Sequence, residues 1–439
     1  MIDTIAAIST PFGEGAIAVI RISGPQALPI LGSVFGGPTP QPRMLSRGRI
    51  EENGAVIDDV LAVVFKAPKS FTGEDMAEIH CHGGLWVTRK ILDALIRAGA
   101  RVAEPGEFSL RAFTNGKMDL TQAEAVMDVI RAQTDLALRA AQEQLAGRLG
   151  QQVAALRQAL LEILAHVEAY IDFPDEDIEP ETGEIILNRI RTTKRDMETL
   201  VATADQGRLL REGVRTVIHG APNVGKSSLL NILTGFDRAI VSATPGTTRD
   251  TIEEHVNIGG IPLRLIDTAG IRDDTDDHLE KLGIERSRNA LAQADLILHV
   301  FDASEPPPSA FPDDPRTLII LNKSDLQIDS GWQGTAAVPI SCTANTGFEV
   351  LRARISAKIF GDDLTLENVS VAINARHKAC LSHAIAGCSA AITGLQCQIP
   401  VEFIAVELHS ALDAVGEVIG RVDTEEILGK IFSTFCIGK

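Results

Sequence analysis

The sequence predicts a mixed protein: an α/β N-terminal part, then a helical part in two pieces, with a second α/β part inserted between the pieces. Three observations carry this. Short apolar runs bounded by Gly and Pro fill residues 1 to about 116. Apolar residues recur every three or four positions between about 117 and 212, and again after about 362. From Val214 onward, strand-like and helix-like stretches alternate. A chain of 439 residues exceeds what one core usually covers, so several domains are expected. The expected boundaries are 1–116, 117–212, 213–362 and 363–439.

In the first part the runs TIAAI, GAIAVIRI, DDVLAVVF and DMAEIHC read as strands, and LWVTRKILDALIRAG as a helix closed by glycine. At Thr121-Gln122-Ala123-Glu124 a hydroxyl followed by a carboxylate three residues on reads as a capping box. A long helical stretch should follow, with Leu145, Leu149, Val153, Leu156, Leu160 and Leu164 on one buried stripe. VRTVIHG, IPLRLIDTAG, ADLILHVFDAS, RTLIILNKSD and AAVPIS are the strands of a doubly wound domain. Val401, Ile404, Leu408, Leu412, Val415 and Ile419 form a second helical stripe. Asp423, with Glu426 three residues on, caps a final helix whose apolar face is Ile427, Leu428, Ile431 and Phe432, with Phe435 one turn further. Insertion of one domain into another is tolerated because domain ends often lie close together.

Composition narrows the function. Apolar residues make up 45% and aromatics only 4%, so the cores are aliphatic. The start, MIDTIAAISTPFGEG, has no basic run before its short apolar stretch and does not read as a secretory signal. No window approaches the roughly 18 uninterrupted apolar residues of a membrane span. The six cysteines form no CxxC pair, which suits reduced thiols in the cytoplasm. His80 and His82 would share a strand face, but no ligand cluster accompanies them and no metal site is expected there. A formal charge of −18 disfavours gripping nucleic acid through the overall field, and leaves room for a local basic patch. Cys436 has the spacing of a prenylation box, but Gly438 and Lys439 fit one badly, so no lipid anchor is expected.

The strongest local signal is GAPNVGKSS, Gly220 to Ser228, after an apolar strand and before a helix. Its glycines let backbone amides of Asn223, Val224, Gly225, Ser227 and Ser228 fold around phosphates. Lys226 would reach the β- and γ-phosphates, and Ser227 would ligate Mg2+. Asp267-Thr268-Ala269-Gly270 follows a strand. Its aspartate would hold the magnesium shell and its glycine amide would sense the γ-phosphate. Asn322-Lys323-Ser324-Asp325 follows another strand. A carboxylate there accepts two hydrogen bonds from the N1 and N2 edge of guanine, which adenine lacks, so the nucleotide should be GTP. Ser341-Cys342-Thr343 would be the remaining base-contacting loop. In Gly246-Thr247-Thr248-Arg249-Asp250, Thr248 is chosen to complete the magnesium shell, with Thr247 as the alternative. These motifs make the inserted part a Ras-like P-loop G domain. Where Ras-like proteins carry a water-orienting Gln, this chain has Ile271. Another positive charge and another water-holding group are then needed. Asn223 offers a neutral oxygen suited to a monovalent cation, and Glu280 is a candidate for the water.

Over its whole length the sequence resembles the MnmE (TrmE) family of bacterial tRNA-modification GTPases. The resemblance is carried by RISGP (21–25), HGG (82–84), EPGEFSLRAF (104–113), GKMDLTQAEA (116–125), the nucleotide motifs and LGKIFSTFCIGK at the end. It implies a folate-binding N-terminal domain through which the chain homodimerises, a discontinuous helical domain and an inserted G domain. It implies a heterotetramer with the FAD-dependent MnmG (GidA) protein, FAD residing on that partner only. Together the two modify C5 of the wobble uridine of tRNA to a carboxymethylaminomethyl or aminomethyl group. The one-carbon unit comes from 5,10-methylenetetrahydrofolate, for which 5-formyltetrahydrofolate is an analogue. It also implies potassium-stimulated hydrolysis, with G domains pairing across the dimer and K+ standing in for an arginine finger. By motif, Asn223, Ser242, Thr244 and Thr247 would hold K+, and Ser242, Ala243, Thr244, Pro245 and Gly246 would run along the nucleotide. The catalytic glutamate maps to Glu280, and the folate contacts to Arg21, Glu78, Lys117 and Lys439. Cys436 either takes part in the chemistry or only packs beside the folate.

A regulatory or ribosome-assembly GTPase is the rival reading. It would want a basic RNA-binding appendage beside the G domain, and the acidic balance points the other way. A folate enzyme whose G domain only regulates shades into the first reading.

Overall fold

In the computed structural model of the chain, residues 3–52, 54–172, 183–235, 254–266, 289–361, 373–421 and 425–438 are described. The chain forms two compact units. One is Met1–Met127 with Gly416–Lys439, and the other is Asp128–Val415.

The first unit is built on β1 (Ile5–Ile8), β2 (Gly15–Ser23), α1 (Ala27–Val34), β3 (Phe35–Gly36), β4 (Ser46–Glu52), β5 (Ala55–Phe65), β6 (Met76–Gly83), α2 (Leu85–Arg97), β7 (Arg101–Val102) and α3 (Glu107–Thr114). The four strands and the helix expected from the sequence are β1, β2, β5, β6 and α2, and the strands β3, β4 and β7 and the helices α1 and α3 are additions to them. The sheet runs in the order β3-β4-β5-β6-β2-β1-β7, antiparallel except for the β1–β7 pair. Alternation assigns its two faces. Ile20, Ile22, Ala62, Val64, Ile79 and Cys81 point to one face and form a core with α1 and α2. Arg21, Glu78 and His80 take the other face.

Next comes α4 (Leu120–Arg131). Its cap corrects the sequence reading. Asp119, not Thr121, accepts the Gln122 N–H at 2.9 Å, and the Gln122 side chain accepts the Asp119 N–H at 3.0 Å. Thr121 is instead fully buried and donates its hydroxyl to Asp119. The last helix, Glu425–Phe432, closes over this start: Phe432 and Phe435 pack with Leu120, Ala123 and Met127. The expected cap at Asp423 lies outside the described residues.

The second unit holds α5 (Asp135–Leu145), α6 (Arg148–Asp172), α7 (Gly183–Ala202) and α8 (Ala204–Glu212). The expected continuous stripe is broken here. Gly147, at φ +87°, separates α5 from α6, and Leu145 ends half-exposed on α5. Leu149, Val153, Leu156, Leu160 and Leu164 do line the buried face of α6. The helix Ala375–Gln396 packs along α7, so segments on either side of the second sheet share one bundle. That helix starts on a capping box made by Asn374 and His377. Gly387 lets it approach the helix Val401–Val418 closely, since a Cβ there would sit 2.8 Å from the Glu407 carbonyl.

Between those segments lie β8 (Val214–His219), α9 (Lys226–Gly235), β9 (Glu254–Ile258), β10 (Ile261–Leu265), β11 (Leu296–Asp302), β12 (Thr317–Asn322) and β13 (Val338–Pro339), followed by the helix Phe348–Phe360. The sheet order is β13-β12-β11-β8-β10-β9. All pairs are parallel except the edge pair β9–β10. The five expected strands are present, and β9 is the addition. No described helix is long and apolar enough to cross a membrane.

One buried ionic network organises the first unit. Arg111 of α3, 1% exposed, donates to the Asp3 carbonyl and carboxylate (both 2.9 Å), to Glu107 (2.9 Å) and to Glu74 (3.2 Å). Burial alone would raise Glu107, but hydrogen bonds from Arg101, the Glu104 amide and Arg111 outweigh it and hold its carboxyl below the usual range. Removing the guanidinium would take the cation from Glu74, 17% exposed, and leave Glu107 and Asp3 to Arg101 alone. Arg111→Met should therefore cost this unit about 3–5 kcal/mol, read as a shift of the urea midpoint. A shift under about 1 kcal/mol would mean the network contributes little to stability.

Candidate functional site

The phosphate loop connects β8 to α9, and its shape depends on backbone positions that only certain residues tolerate. Gly220 and Gly225 adopt φ +152° and +95°. A Cβ at Gly220 would collide with the Val300 carbonyl of β11, and one at Gly225 with the Asn322 amide. Asn223 turns the loop in the left-handed region at φ +63°, where Asn is among the few side chains that fit. Val224 is buried under the loop, while Lys226 donates to the Ala221 carbonyl at 2.8 Å. Lys226, Ser227 and Ser228 open α9, so the loop's amides sit at a helix N-terminus, a ready anion site.

The base-reading motif meets this loop directly. Asn322, 3% exposed at the end of β12, donates its amide to the Val224 carbonyl at 2.9 Å and accepts the Cys342 N–H at 3.1 Å. It thus ties the phosphate loop to the Ser341–Thr343 loop. Lys323, at φ +65°, pairs with Asp302 of β11 at 2.6 Å, and Asp302 is fixed in turn by Ser304. Burial would raise Asp302, but Lys323 and Ser304 pull its carboxyl below the usual range. Asp325 is exposed and accepts the Ser341 hydroxyl through one carboxylate oxygen at 2.5 Å. Ser341 accepts the Ala344 N–H at 2.9 Å, and Thr343 is exposed beside it. Burial, with the Asp325 charge adding, pushes the Cys342 thiol up to about 11, so it acts as a small packed group rather than a nucleophile.

Behind the phosphate loop, His219 and His299 meet edge to face at 4.9 Å, and His299 stacks on Phe301 at 4.3 Å. Burial, helped by His219, lowers His299 to about 4 and keeps it neutral. Asp302 and these histidines were not singled out from sequence. An acid ending an apolar strand just ahead of a turn, LILHVFDAS, is the signal that could have found Asp302. Ser242, Ala243, Thr244, Pro245, Gly246, Thr247, Thr248, Asp267, Thr268, Ala269, Gly270 and Glu280 lie outside the described residues.

In the first unit, Arg21 and Glu78 are direct cross-strand partners on β2 and β6 and pair at 2.9 Å. The Arg21 guanidinium lies over the Phe71 ring at 5.7 Å. Lys117 donates to the Pro68 carbonyl at 3.0 Å, so both cations converge on the segment between β5 and β6. The chain's last described residues reach the end of β1. Gly438, at φ +91°, accepts the Ser9 hydroxyl at 3.1 Å, and a Cβ there would come within 2.6 Å of the Ile8 carbonyl. The Cys436 carbonyl accepts the Gly106 N–H at 3.4 Å, and Cys436 itself is exposed. Lys439 lies outside the described residues. His82 pairs with Asp58 at 2.7 Å and His80 lies 3.5 Å from Glu78. Among the described residues no group of three potential metal ligands occurs.

Comparison with known proteins shows the family. Residues 4–117 match the family model of the GTP-binding protein TrmE N-terminus, and residues 120–436 match that of the MnmE helical domain. The tRNA modification GTPase MnmE of Akkermansia muciniphila is 51% identical over 99% of both chains. The proteins of the same name from Clostridioides difficile and Bacillus subtilis are 44% and 43% identical, over the whole of this chain and 99% and 100% of theirs. With the nucleotide loops and both family models in one chain at this identity, the protein belongs to the MnmE (TrmE) family of tRNA modification GTPases.

Proposed function

We propose that the protein hydrolyses GTP to drive modification of the wobble uridine of tRNA, acting with an FAD-dependent MnmG-type partner. The observation that carries this is Asn322, whose amide joins the phosphate loop to both base-reading loops in one nucleotide-shaped cradle. Asp325 reads guanine with its second oxygen. Lys226 neutralises the β- and γ-phosphates, and Ser227 with Thr248 holds Mg2+. The four-part organisation of 1–116, 117–212, 213–362 and 363–439 is part of this reading, as are a cytoplasmic location and a homodimer.

The missing water-orienting Gln, replaced by Ile271, is met by K+ held at Asn223 with Ser242, Thr244 and Thr247, and by Glu280 on the water. The left-handed turn at Asn223 supports this, because it places a neutral amide at the edge of the phosphate loop. The folate that supplies the one-carbon unit binds at Arg21, Glu78, Lys117 and Lys439. The paired Arg21 and Glu78 suit a pterin-like edge with adjacent donors and acceptors, and an ammonium at Lys439 suits a folate's glutamate carboxylates. The docking of Gly438 at Ser9 supports a tail that belongs to this site, with Cys436 exposed beside it.

Three outcomes are expected. Turnover of GTP should be much faster in potassium than in sodium chloride at equal ionic strength, because an arginine finger is worth about 10³–10⁵ in rate and the cation replaces one. Equal rates would rule out the potassium site. Asp325→Asn should weaken GTP and favour xanthosine triphosphate, since xanthine presents an acceptor where guanine has a donor. Unchanged GTP affinity would show that Asp325 does not read the base. Deleting Cys436 to Lys439 should weaken 5-formyltetrahydrofolate in calorimetry and abolish tRNA modification while GTP hydrolysis persists. Full folate affinity in the truncated protein would remove the tail from the site.

A further inference from the structure

The helix α8 ends one residue before β8, and β8 runs straight into the phosphate loop. Gly213, at φ +80°, is the whole connection. Leu209 and Leu210 of α8 pack into the core of the parallel sheet. On its other side Arg211 of α8 donates to the Ile373 carbonyl at 2.6 Å and pairs with Asp128 at 3.6 Å. Gly207, Leu210, Arg211 and Glu212 line a cavity of about 250 Å³ whose far wall is α4 and α5, including Arg131, Ala140, Ala141 and Gln144. A space of that size is several water volumes, so this side of α8 is less closely packed than the side against the sheet.

What fixes α8 to the sheet by charge is Asp295, the residue just before β11. Arg215 of β8 binds it through both guanidinium arms, at 3.0 and 3.1 Å, and through its backbone N–H at 3.0 Å. Arg208 of α8 adds a bond of 2.9 Å from the other side. Burial alone would raise Asp295, but Arg215 and Arg208 outweigh it and bring it down to about 2, so the carboxylate stays charged. Residues 289–293, immediately before Asp295, are helical, and they follow the DTAG motif in sequence. At its N-terminal end α8 pairs with the bundle, Asp205 to Lys378 at 3.3 Å.

We infer that Arg208 is a positioning residue: through Asp295 it makes α8 follow the strand that leads to the phosphate loop, and so carries the state of the nucleotide site into the helical bundle. Four residues of β8, 216–219, separate Arg215 from the phosphate loop, about 16 Å of strand, so this grip does not touch the nucleotide. Arg215 alone satisfies Asp295, so loss of Arg208 leaves no uncompensated buried acid. The inference rests on the reading that GTP hydrolysis drives tRNA modification.

The test uses full-length protein with its FAD-dependent partner, tRNA, folate and GTP. Arg208→Gln should leave GTP affinity and GTP turnover within about twofold and leave the melting temperature unchanged. Modified nucleosides should fall by about tenfold or more, the usual size of a lost coupling. Arg208→Lys, which keeps one charged donor, should recover part of that loss. Equal losses of hydrolysis and modification, or undiminished modification in Arg208→Gln, would overturn the inference. If the wild-type complex itself makes no modified nucleoside, the functional reading fails and takes this inference with it.

Discussion

The nucleotide cradle depends on one buried amide. Asn322 can reach the Val224 carbonyl only because residue 225 carries no side chain, and it holds the Cys342 amide with its remaining oxygen. Each bond joins a loop from a different strand end. The sheet order makes this possible: β11 lies between β8 and β12, and β10 flanks β8 on its other side. Strand β8 therefore stands where the winding direction reverses, the place where open α/β sheets bind ligands beyond their carboxyl ends. Gly220 completes the arrangement by letting the start of the loop pass against the Val300 carbonyl. The site is thus a property of backbone closeness first and of side-chain chemistry second.

The first unit solves its problem differently. Its candidate site is a cross-strand ion pair on the sheet face that also carries the small cluster of Ile5, Ala7 and Phe108, and the other face carries the larger core. What needs fixing there is the set of segments around the sheet, and Arg111 supplies it. From within α3 this one guanidinium holds Asp3 ahead of β1 and Glu74 ahead of β6. Both ends of α3 then make contacts that matter. Gly106 at its start lies under the Phe432 carbonyl and donates to Cys436, while Asn115 just past its end donates to the Thr72 carbonyl at 2.7 Å. The tail and the segment before β6 thus meet the two ends of the helix that carries Arg111.

Much of this was legible in the sequence, and the exceptions have physical causes. The parallel strands read clearly because both faces are covered and their apolar runs are continuous. The cap of α4 was misplaced because DLTQ and TQAE, starting at Asp119 and Thr121, both fit a capping pattern. Burial of Thr121 against the core decided between them, and burial is not local information. The stripe that continued through Leu145 is a real periodicity, but Gly147 at φ +87° interrupts the helix without disturbing the spacing of leucines. Arg111 could not be singled out because Asp3 is 108 residues away and Glu74 is 37. The same holds for Asp295, whose partner Arg208 is 87 residues off. Motifs made of contiguous residues declare themselves, whereas ionic networks close only in three dimensions.

That pattern bears on how an acidic chain handles a polyanionic substrate. Binding of a nucleic acid gains by releasing counterions from each phosphate that a cation neutralises. Arg21, Arg101, Arg111, Arg208, Arg215 and Arg316 are each paired with a carboxylate within the chain. Where the pair is buried, turning the guanidinium toward a phosphate would leave its acid unpaired at a cost of several kcal/mol. Arg111, 1% exposed, is therefore committed to the fold. The overall charge of −18 comes from the carboxylates left over once such pairs have cancelled, and it weakens the long-range pull on RNA.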